Sequence, residues 1–242
     1  MTQHPDILTG LRVAVTGGTS GLGLALVEAL HARGAAVAFV ARHSDQVDAV
    51  ARAHPGTHGI TGDISRKTET YSIALRITAA LGGLEVLINN ASSLGPVPLA
   101  LLADTECEEL ELAFATNLVG PFRLTKALLG ALGAAGREHR PALVINLISD
   151  AAITPYPGWG AYGASKAALL HLSRIWDAEL EPHRIVFHLI DIAGSFHRFY
   201  NRHRVVGVEP DVSRARLYLA AATRRVLRIG LGLVGVRAPE SM

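Results

Sequence analysis

The sequence predicts a doubly wound α/β fold in a single domain over residues 1–242, and three observations support this prediction. Short apolar runs alternate along the chain with amphipathic segments of ten or more residues. A glycine-rich turn joins the first run to the first amphipathic segment. The runs show little polar alternation, which is typical of strands that are covered on both faces. Strands that alternate with long helices need right-handed crossovers and therefore form a parallel sheet.

The periodicity places the elements in order along the chain. Predicted strands lie at residues 11–16, 37–41, 58–61, 86–89, 143–148 and 185–190. Predicted helices cover residues 22–33, 67–81, 105–132 and 161–180. Beyond Gly194 the pattern weakens, and it indicates a mobile lid segment at about 192–209, a helix at about 210–222 and a strand near 226–236.

Composition excludes several classes of protein. With 49% hydrophobic and 18% charged residues, the 242-residue chain is unlike a disordered protein. Cys107 is the single cysteine, so a disulfide framework is excluded. The first residues lack the features of a signal peptide, and no apolar stretch has the length of a membrane span. We expect a cytoplasmic protein with no membrane partner.

The histidines and the charge distribution predict neither a metal site nor a nucleic-acid partner. The eleven histidines are scattered and form no short-spaced ligand set. From Arg184 onward the chain has ten arginines and four acidic residues. A basic segment can bind nucleic acid, but these arginines are not interleaved with aromatic residues. We interpret them as solvated helix faces.

A glycine loop follows the first strand and predicts a dinucleotide site. Residues 16–23 read Thr-Gly-Gly-Thr-Ser-Gly-Leu-Gly and open directly into a helix. Gly17 can make the tight turn, Gly21 lets the backbone approach a pyrophosphate, and Gly23 allows close packing. The positive end of the helix dipole then faces the phosphates.

The end of the second strand favours NADP(H) over NAD(H). An acidic residue there would bind the ribose 2′-hydroxyl of NAD, but the chain has Arg42 and His43, with no acid before Asp45. A guanidinium suits a 2′-phosphate because it can form two parallel hydrogen bonds. The alternatives are an NAD(H) site and an Arg42 that is merely a surface residue.

Three residues predict acid–base chemistry on a substrate oxygen. Tyr162 and Lys166 are four residues apart at the start of a helix, which puts the phenol and the ammonium on one face. A nearby cation stabilises the phenolate and lowers the tyrosine pKa. Ser149 ends the preceding strand thirteen residues before Tyr162. Between Ser149 and Tyr162 lie Tyr156, Pro157 and Trp159, which either form walls of a substrate pocket or only pack the loop.

On these residues the chain resembles the short-chain dehydrogenase/reductase family, in its Rossmann-fold subgroup. The resemblance covers residues 11 to about 191 and includes the glycine loop, Asp63-Ile64, Asn89-Asn90-Ala91-Ser92, Asn117, Ser149 and Tyr162 to Lys166. It implies about seven parallel strands, NAD(P)-dependent chemistry on a small or medium carbonyl or alcohol substrate, and a homodimer or homotetramer.

The resemblance also implies a role for each matching residue. Tyr162 would be the general acid or base and would also contact the cofactor. Lys166 would support Tyr162 and hold the nicotinamide ribose, and Ser149 would bind the substrate oxygen. Asn117 would position a relay water near Lys166. Asp63 and Ile64 would contact the adenine, and Asn90 would lie beside the adenosine ribose. The remaining cofactor-binding residues expected are Gly17, Thr19, Ser20, Gly21, Leu22, Gly23, Arg42, Ala193 and Gly194.

The chain departs from the family pattern in three places, and the changed loop at residues 192–197, together with the basic C-terminal region, keeps a second function open. Ser92 stands where the family usually has Gly, and the Pro-Gly pair expected after the sixth strand is replaced by Ile192-Ala193 or Ala193-Gly194, depending on the alignment. The usual ending of the last strand is also missing near residues 230–236. The leading hypothesis is an oxidoreductase. The alternative is a non-catalytic dinucleotide sensor or scaffold of the same fold.

Overall fold

The computed structural model of the chain describes residues 8–190 and confirms the predicted fold class. Six parallel strands form one sheet: β1 Arg12–Thr16, β2 Ala36–Ala41, β3 His58–Thr61, β4 Val86–Asn89, β5 Leu143–Leu147 and β6 Val186–Ile190. The strand order is β3-β2-β1-β4-β5-β6. The predicted lid at 192–209, helix at 210–222 and strand at 226–236 lie outside the described residues, as do Ala193 and Gly194.

Six α-helices connect the described strands. Their bounds are α1 Gly21–His31, α2 Ser44–Ala53, α3 Thr70–Leu81, α4 Cys107–Phe114, α5 Gly120–Arg137 and α6 Gly160–Leu180. Short 3-10 turns precede α3 and α4, and another follows β5 at Asp150–Ala152. The helices lie on both sides of the sheet, so strand residues are buried on both faces.

The apolar strand runs supply two hydrophobic layers. Val13 and Val15 of β1 pack with Val27 of α1 on one face of the sheet. Ala14 lies between them in sequence and packs on the other face, in the layer that contains Ile77 of α3. Successive residues of a strand point to opposite faces, so an uninterrupted apolar run fills both layers.

The predicted helix over residues 105–132 is wrong in one respect, because it is three segments. A π-helical turn at Ala115–Val119 separates α4 from α5. Pro121 explains the interruption. It has no N–H to donate to the carbonyl of residue 117, and its ring would collide with that carbonyl in a regular α-helix.

Helix α2 was not predicted, because only Val47 and Val50 of its ten residues are buried. The remaining α2 residues are mostly polar and exposed. The helix nevertheless borders the site described below.

The amino ends of the strands carry a buried ion cluster. Glu85 accepts hydrogen bonds from the backbone N–H and the guanidinium of Arg12, and it forms an ion pair with Arg140 at 2.8 Å. Burial alone would raise the pKa of Glu85, but the bonds from Arg12 and the two cations together lower it below its ordinary value. The cluster ties β1 to the segment before β5 at the edge opposite the candidate site.

The strand order fixes where a ligand can enter. The chain winds outward from β1 through β2 to β3 and, after crossing back, from β4 through β5 to β6. The crevice at the carboxyl ends of β1 and β4, where the winding direction reverses, is the usual ligand position in open parallel sheets.

Candidate active site

The glycine loop fills the crevice at the carboxyl end of β1. Gly17 has a φ of +71°, which side-chain-bearing residues rarely adopt. A Cβ atom at Gly23 would collide with the carbonyl oxygen of Gly17, so α1 can approach the turn only with glycine at that position. Asn90 donates to the carbonyl oxygens of Thr16 and Gly17 at 2.9 and 3.2 Å, which ties the turn to the end of β4.

A cavity opens directly above this turn and brings together residues from the ends of β1, β2, β3 and β4. Six residues predicted to bind the cofactor line it: Gly17, Thr19, Ser20, Arg42, Asp63 and Ile64. Gly21, Leu22, Gly23 and Asn90 are not among its lining residues, and they instead form or brace the turn beneath it. The polar wall and the glycine turn together suit an elongated, anionic ligand.

The cavity also contains residues that sequence reasoning missed. Gln46 of α2 and Thr116 of the π-helical turn line it, together with His43 and Ser92. Thr19 lies next to Gln46, with its hydroxyl 3.4 Å from the Gln46 side-chain oxygen. The spacing of Val47 and Val50 is the sequence signal for α2, and with that helix placed Gln46 would have been a candidate.

Ser149 and Lys166 lie at the carboxyl end of β5, beside the start of α6. Ser149 caps the 3-10 turn that follows β5 and accepts a hydrogen bond from the N–H of Ala151 at 3.2 Å. The Lys166 Nζ donates to the carbonyl oxygen of Leu147, the last residue of β5, at 2.7 Å. The same Nζ is 5.6 Å from the ring centre of Tyr162.

Lys166 is the most unusual side chain of this group. It is 2% exposed, although a lysine is almost never fully buried without an ion pair. Burial lowers its pKa to about 8. The ammonium is held next to the Tyr162 ring by the packing of α6 against β5.

The amide oxygen and nitrogen of Asn117 both form hydrogen bonds, which join the loop after β4 to α6. Its oxygen accepts from the Ser92 hydroxyl at 3.1 Å and from the Ser93 N–H at 2.7 Å. Its nitrogen donates to the Ser93 carbonyl at 2.7 Å and to the Ser165 hydroxyl at 2.9 Å. Ser92 stands at the departure from the family pattern and here supplies one of these bonds. The side chain therefore fixes the loop after β4 against α6, one residue before Lys166.

The loop between Ser149 and Tyr162 is braced by Asp150. Its carboxylate accepts from the Ser149 hydroxyl at 3.0 Å and from the Tyr156 hydroxyl at 2.8 Å. Trp159 packs edge-on against Tyr162, with 5.6 Å between ring centres. Both aromatic residues of this loop therefore lie beside predicted catalytic residues.

Comparison with known proteins identifies the family of this site. The model of the family described as short chain dehydrogenase matches residues 12–194. The chain belongs to the short chain dehydrogenase family. The match covers the described elements from β1 to β6 and extends four residues beyond them.

Solved structures of short-chain dehydrogenases share the fold. One from Streptomyces avermitilis is 31% identical, with a TM-score of 0.69 over 75% of this chain and 65% of that one. One from Burkholderia cenocepacia in complex with NADP is 26% identical, with a TM-score of 0.67 over 76% and 74%. An NADH-dependent reductase complexed with NAD is 26% identical, with a TM-score of 0.70 over 78% and 80%. The fold therefore occurs with both dinucleotides.

The C-terminal part of this chain is similar to a different family. The model of a DALR anticodon binding domain matches residues 171–242 and so overlaps the dehydrogenase match. The arginine–tRNA ligase of Desulfosudis oleivorans is 48% identical over 75 residues, and that of Cupriavidus taiwanensis is 57% identical over 65 residues. The matched segments are 31% and 27% of this chain but only 13% and 11% of the two ligases.

The described residues contain neither a metal-binding cluster nor a helix that could cross a membrane. Within residues 8–190, no group of three or more His, Cys, Asp or Glu side chains is arranged to hold a metal ion. No helix in that part of the chain combines the length and apolar character needed to cross a membrane.

Proposed function

We propose that this dehydrogenase is an NADP(H)-preferring oxidoreductase that transfers a hydride between the nicotinamide and a small or medium carbonyl or alcohol substrate. The nicotinamide supplies or accepts the hydride, and the chain supplies the proton. The observation that carries the proposal is the buried Lys166 beside the Tyr162 ring. A buried cation without an ion pair costs stability, and such strain is concentrated at functional sites.

Each residue of the site takes part in one step of this scheme. Tyr162 gives its phenolic proton to the substrate oxygen in reduction and takes it back in oxidation. The Lys166 cation stabilises the phenolate between these steps, and Ser149 binds the substrate oxygen. Asn117 holds the loop after β4 against α6, so that the cavity and the proton-transfer group keep their relative positions.

Preference for NADP(H) rests on Arg42. It lines the cavity at the end of β2, where a 2′-phosphate would lie, together with His43 and Gln46. None of these three side chains is acidic, so no carboxylate is placed there to repel the phosphate or to select a free 2′-hydroxyl.

Replacing Arg42 by Ala is expected to raise the Kd for NADPH about 10- to 100-fold, because charge-assisted hydrogen bonds to the phosphate are lost. The Kd for NADH is expected to change little. Isothermal titration calorimetry with each nucleotide measures both, and Arg52→Ala at the exposed end of α2 is the matched control. Equal losses for the two nucleotides would contradict the preference, and failure of the wild type to bind either would contradict the cofactor proposal.

The similarity of residues 171–242 to anticodon binding domains supports a second candidate function, binding of tRNA. From Arg184 onward the chain has more arginines than acidic residues, and this positive charge suits a segment that binds the phosphates of RNA. The prediction that this chain has no nucleic-acid partner is not tested by residues 8–190. Residues 171–190 belong to α6 and β6 of the dehydrogenase sheet, so an RNA site would have to use the chain beyond them.

If the second candidate is right, the full chain is expected to bind bulk bacterial tRNA with a Kd that rises steeply with salt. Replacing Arg224 and Arg225 together by Ala should weaken binding about tenfold, whereas Arg52→Ala should not. Fluorescence anisotropy with labelled tRNA gives both values. Absence of tRNA binding at 50 mM salt, or equal displacement of tRNA by heparin in all variants, would contradict the second candidate function. The oxidoreductase would then be the remaining proposal.

Assembly and location remain proposals. A homodimer or homotetramer is favoured by an apolar groove between α5 and α6. Its lining residues are Leu118, Val119, Phe122, Ala168, His171, Leu172 and Ile175. A cytoplasmic location and a single domain over residues 1–242 are predictions from the sequence alone.

A further inference from the structure

We infer that Asp150 determines substrate specificity by placing a negative charge beside the substrate oxygen, so that the enzyme selects uncharged or cationic carbonyl compounds over those that carry a carboxylate. This inference rests on the proposed function, because it takes Ser149 as the residue that binds the substrate oxygen.

The first step is distance. The Ser149 hydroxyl is 3.0 Å from the Asp150 carboxylate oxygen Oδ1. The hydroxyl has one proton, so a substrate oxygen that accepts it replaces Asp150 as the acceptor and lies about 3 Å from the Ser149 oxygen. It therefore lies within about 6 Å of the carboxylate, a separation at which charges interact before salt screens them.

The second step is that the carboxylate is held in place. The Oδ2 atom accepts from the Tyr156 hydroxyl at 2.8 Å, and the Tyr156 carbonyl accepts from the N–H of Trp159 at 3.1 Å. Trp159 in turn packs against Tyr162. The hydrogen bonds therefore hold the charge between Ser149 and the loop that leads to Tyr162.

The third step is that no cation of residues 8–190 forms an ion pair with this carboxylate. The ion pairs found among residues 8–190 involve Glu28, Asp63, Glu69, Glu85 and Glu138 as acids, and Asp150 is not one of them. Its two bonds come from neutral hydroxyl groups. A second carboxylate brought by a substrate would meet a full negative charge.

The test compares two aldehydes of similar shape, 4-formylbenzoate and its methyl ester, each reduced with NADPH. Both develop the same charge on the aldehyde oxygen, so the ratio of their kcat/KM values isolates the effect of the distant carboxylate. The ratio of kcat/KM for the ester to kcat/KM for the carboxylate is expected to be about five- to tenfold higher in wild type than in Asp150→Asn. Asn at this position keeps the shape and can still bond Ser149 and Tyr156. Asp48→Asn on the exposed face of α2 removes the same net charge and should leave the ratio unchanged.

Salt gives a second measurement that needs no variant. Raising the ionic strength to about 0.5 M should reduce the ester preference of wild type. The same change in salt should reduce the ester preference of Asp150→Asn by a smaller factor. If Asp150→Asn does not fold, the salt dependence of the wild-type ester preference tests the role of Asp150 without the variant. An ester preference that is equal in wild type and Asp150→Asn, or that ignores salt in wild type, would overturn the role of Asp150 while leaving the oxidoreductase intact. Failure of wild type to reduce either aldehyde would overturn the proposed function and this inference with it.

Discussion

Replacing Tyr162 by Phe is expected to lower kcat/KM for reduction of an uncharged aldehyde by NADPH about a thousandfold, because in the proposed function the phenol gives a proton to the substrate oxygen. The ring itself remains, so its contact with Trp159 and its packing beside Lys166 are kept. The loss should fall mainly on kcat, since most of the expected cofactor contacts lie in the cavity above the glycine turn, which this substitution leaves intact. Stopped-flow or steady-state assays that follow NADPH absorbance measure it.

The control for this variant is Tyr71→Phe on α3, where the side chain is 75% exposed. It also removes one phenolic hydroxyl, and it should leave kcat/KM unchanged. Calorimetry should give the same Kd for NADPH in wild type and Tyr162→Phe. Turnover that survives in Tyr162→Phe would exclude Tyr162 as the acid. A wild type that binds NADPH but turns over no carbonyl compound would favour the sensor or scaffold hypothesis.

The sheet was predictable because its strands are covered on both faces. The predicted strands at 58–61 and 86–89 coincide with β3 and β4, and the other four differ from the structure by one residue at an end. A continuous apolar run has no other place in a fold of this size, so the pattern alone locates it. Helix α2 shows the opposite case, because a mostly exposed helix with two buried valines has a weak apolar periodicity.

The candidate site was predictable to the extent that its chemistry follows from local spacing. The glycine turn and the Tyr162–Lys166 pair each lie within eight residues of chain. The four hydrogen bonds of Asn117 reach residues that are 24, 25 and 48 positions away, and no local pattern predicts them. The interruption before α5 could have been predicted from Pro121, since a proline in the second half of a long helical pattern breaks the α-helical bonding. Asp150 was overlooked although it follows Ser149 directly, because its role depends on the fold of the loop up to Tyr156.

Replacing Lys166 by Met is expected to change stability in opposite directions at low and high pH. The folded protein lowers the pKa of this lysine from 10.5 to about 8, so folding prefers the neutral form. Below pH 8 the lysine is charged in both states, and burying that charge costs on the order of 3 kcal/mol. Between pH 8 and 10.5 the unfolded chain holds the proton that the folded protein has lost. The lysine's unfavourable contribution therefore fades as pH rises through this window.

Methionine removes that cost, but it also leaves the Leu147 carbonyl without the donor that Nζ provides at 2.7 Å. An unpartnered buried carbonyl costs about 1 kcal/mol or more. Lys166→Met should therefore raise the free energy of unfolding by about 2 kcal/mol at pH 7 and lower it by about 1 kcal/mol near pH 10.5. Urea unfolding of the cofactor-free protein at both pH values measures the difference, with Lys67→Met as the exposed control.

A difference of the same sign and size at both pH values would show that Lys166 is not a strained cation. The reversal, together with loss of turnover in the same variant, would mean that the fold sacrifices stability near neutral pH to keep an ammonium beside the Tyr162 ring. If residue 166 served packing alone, methionine would fill the same space without the cost of a buried charge, and the protein would be more stable with methionine below pH 8. The pH dependence of stability thus shows whether the buried ammonium is strained, and turnover of the same variant shows whether the reaction needs that ammonium.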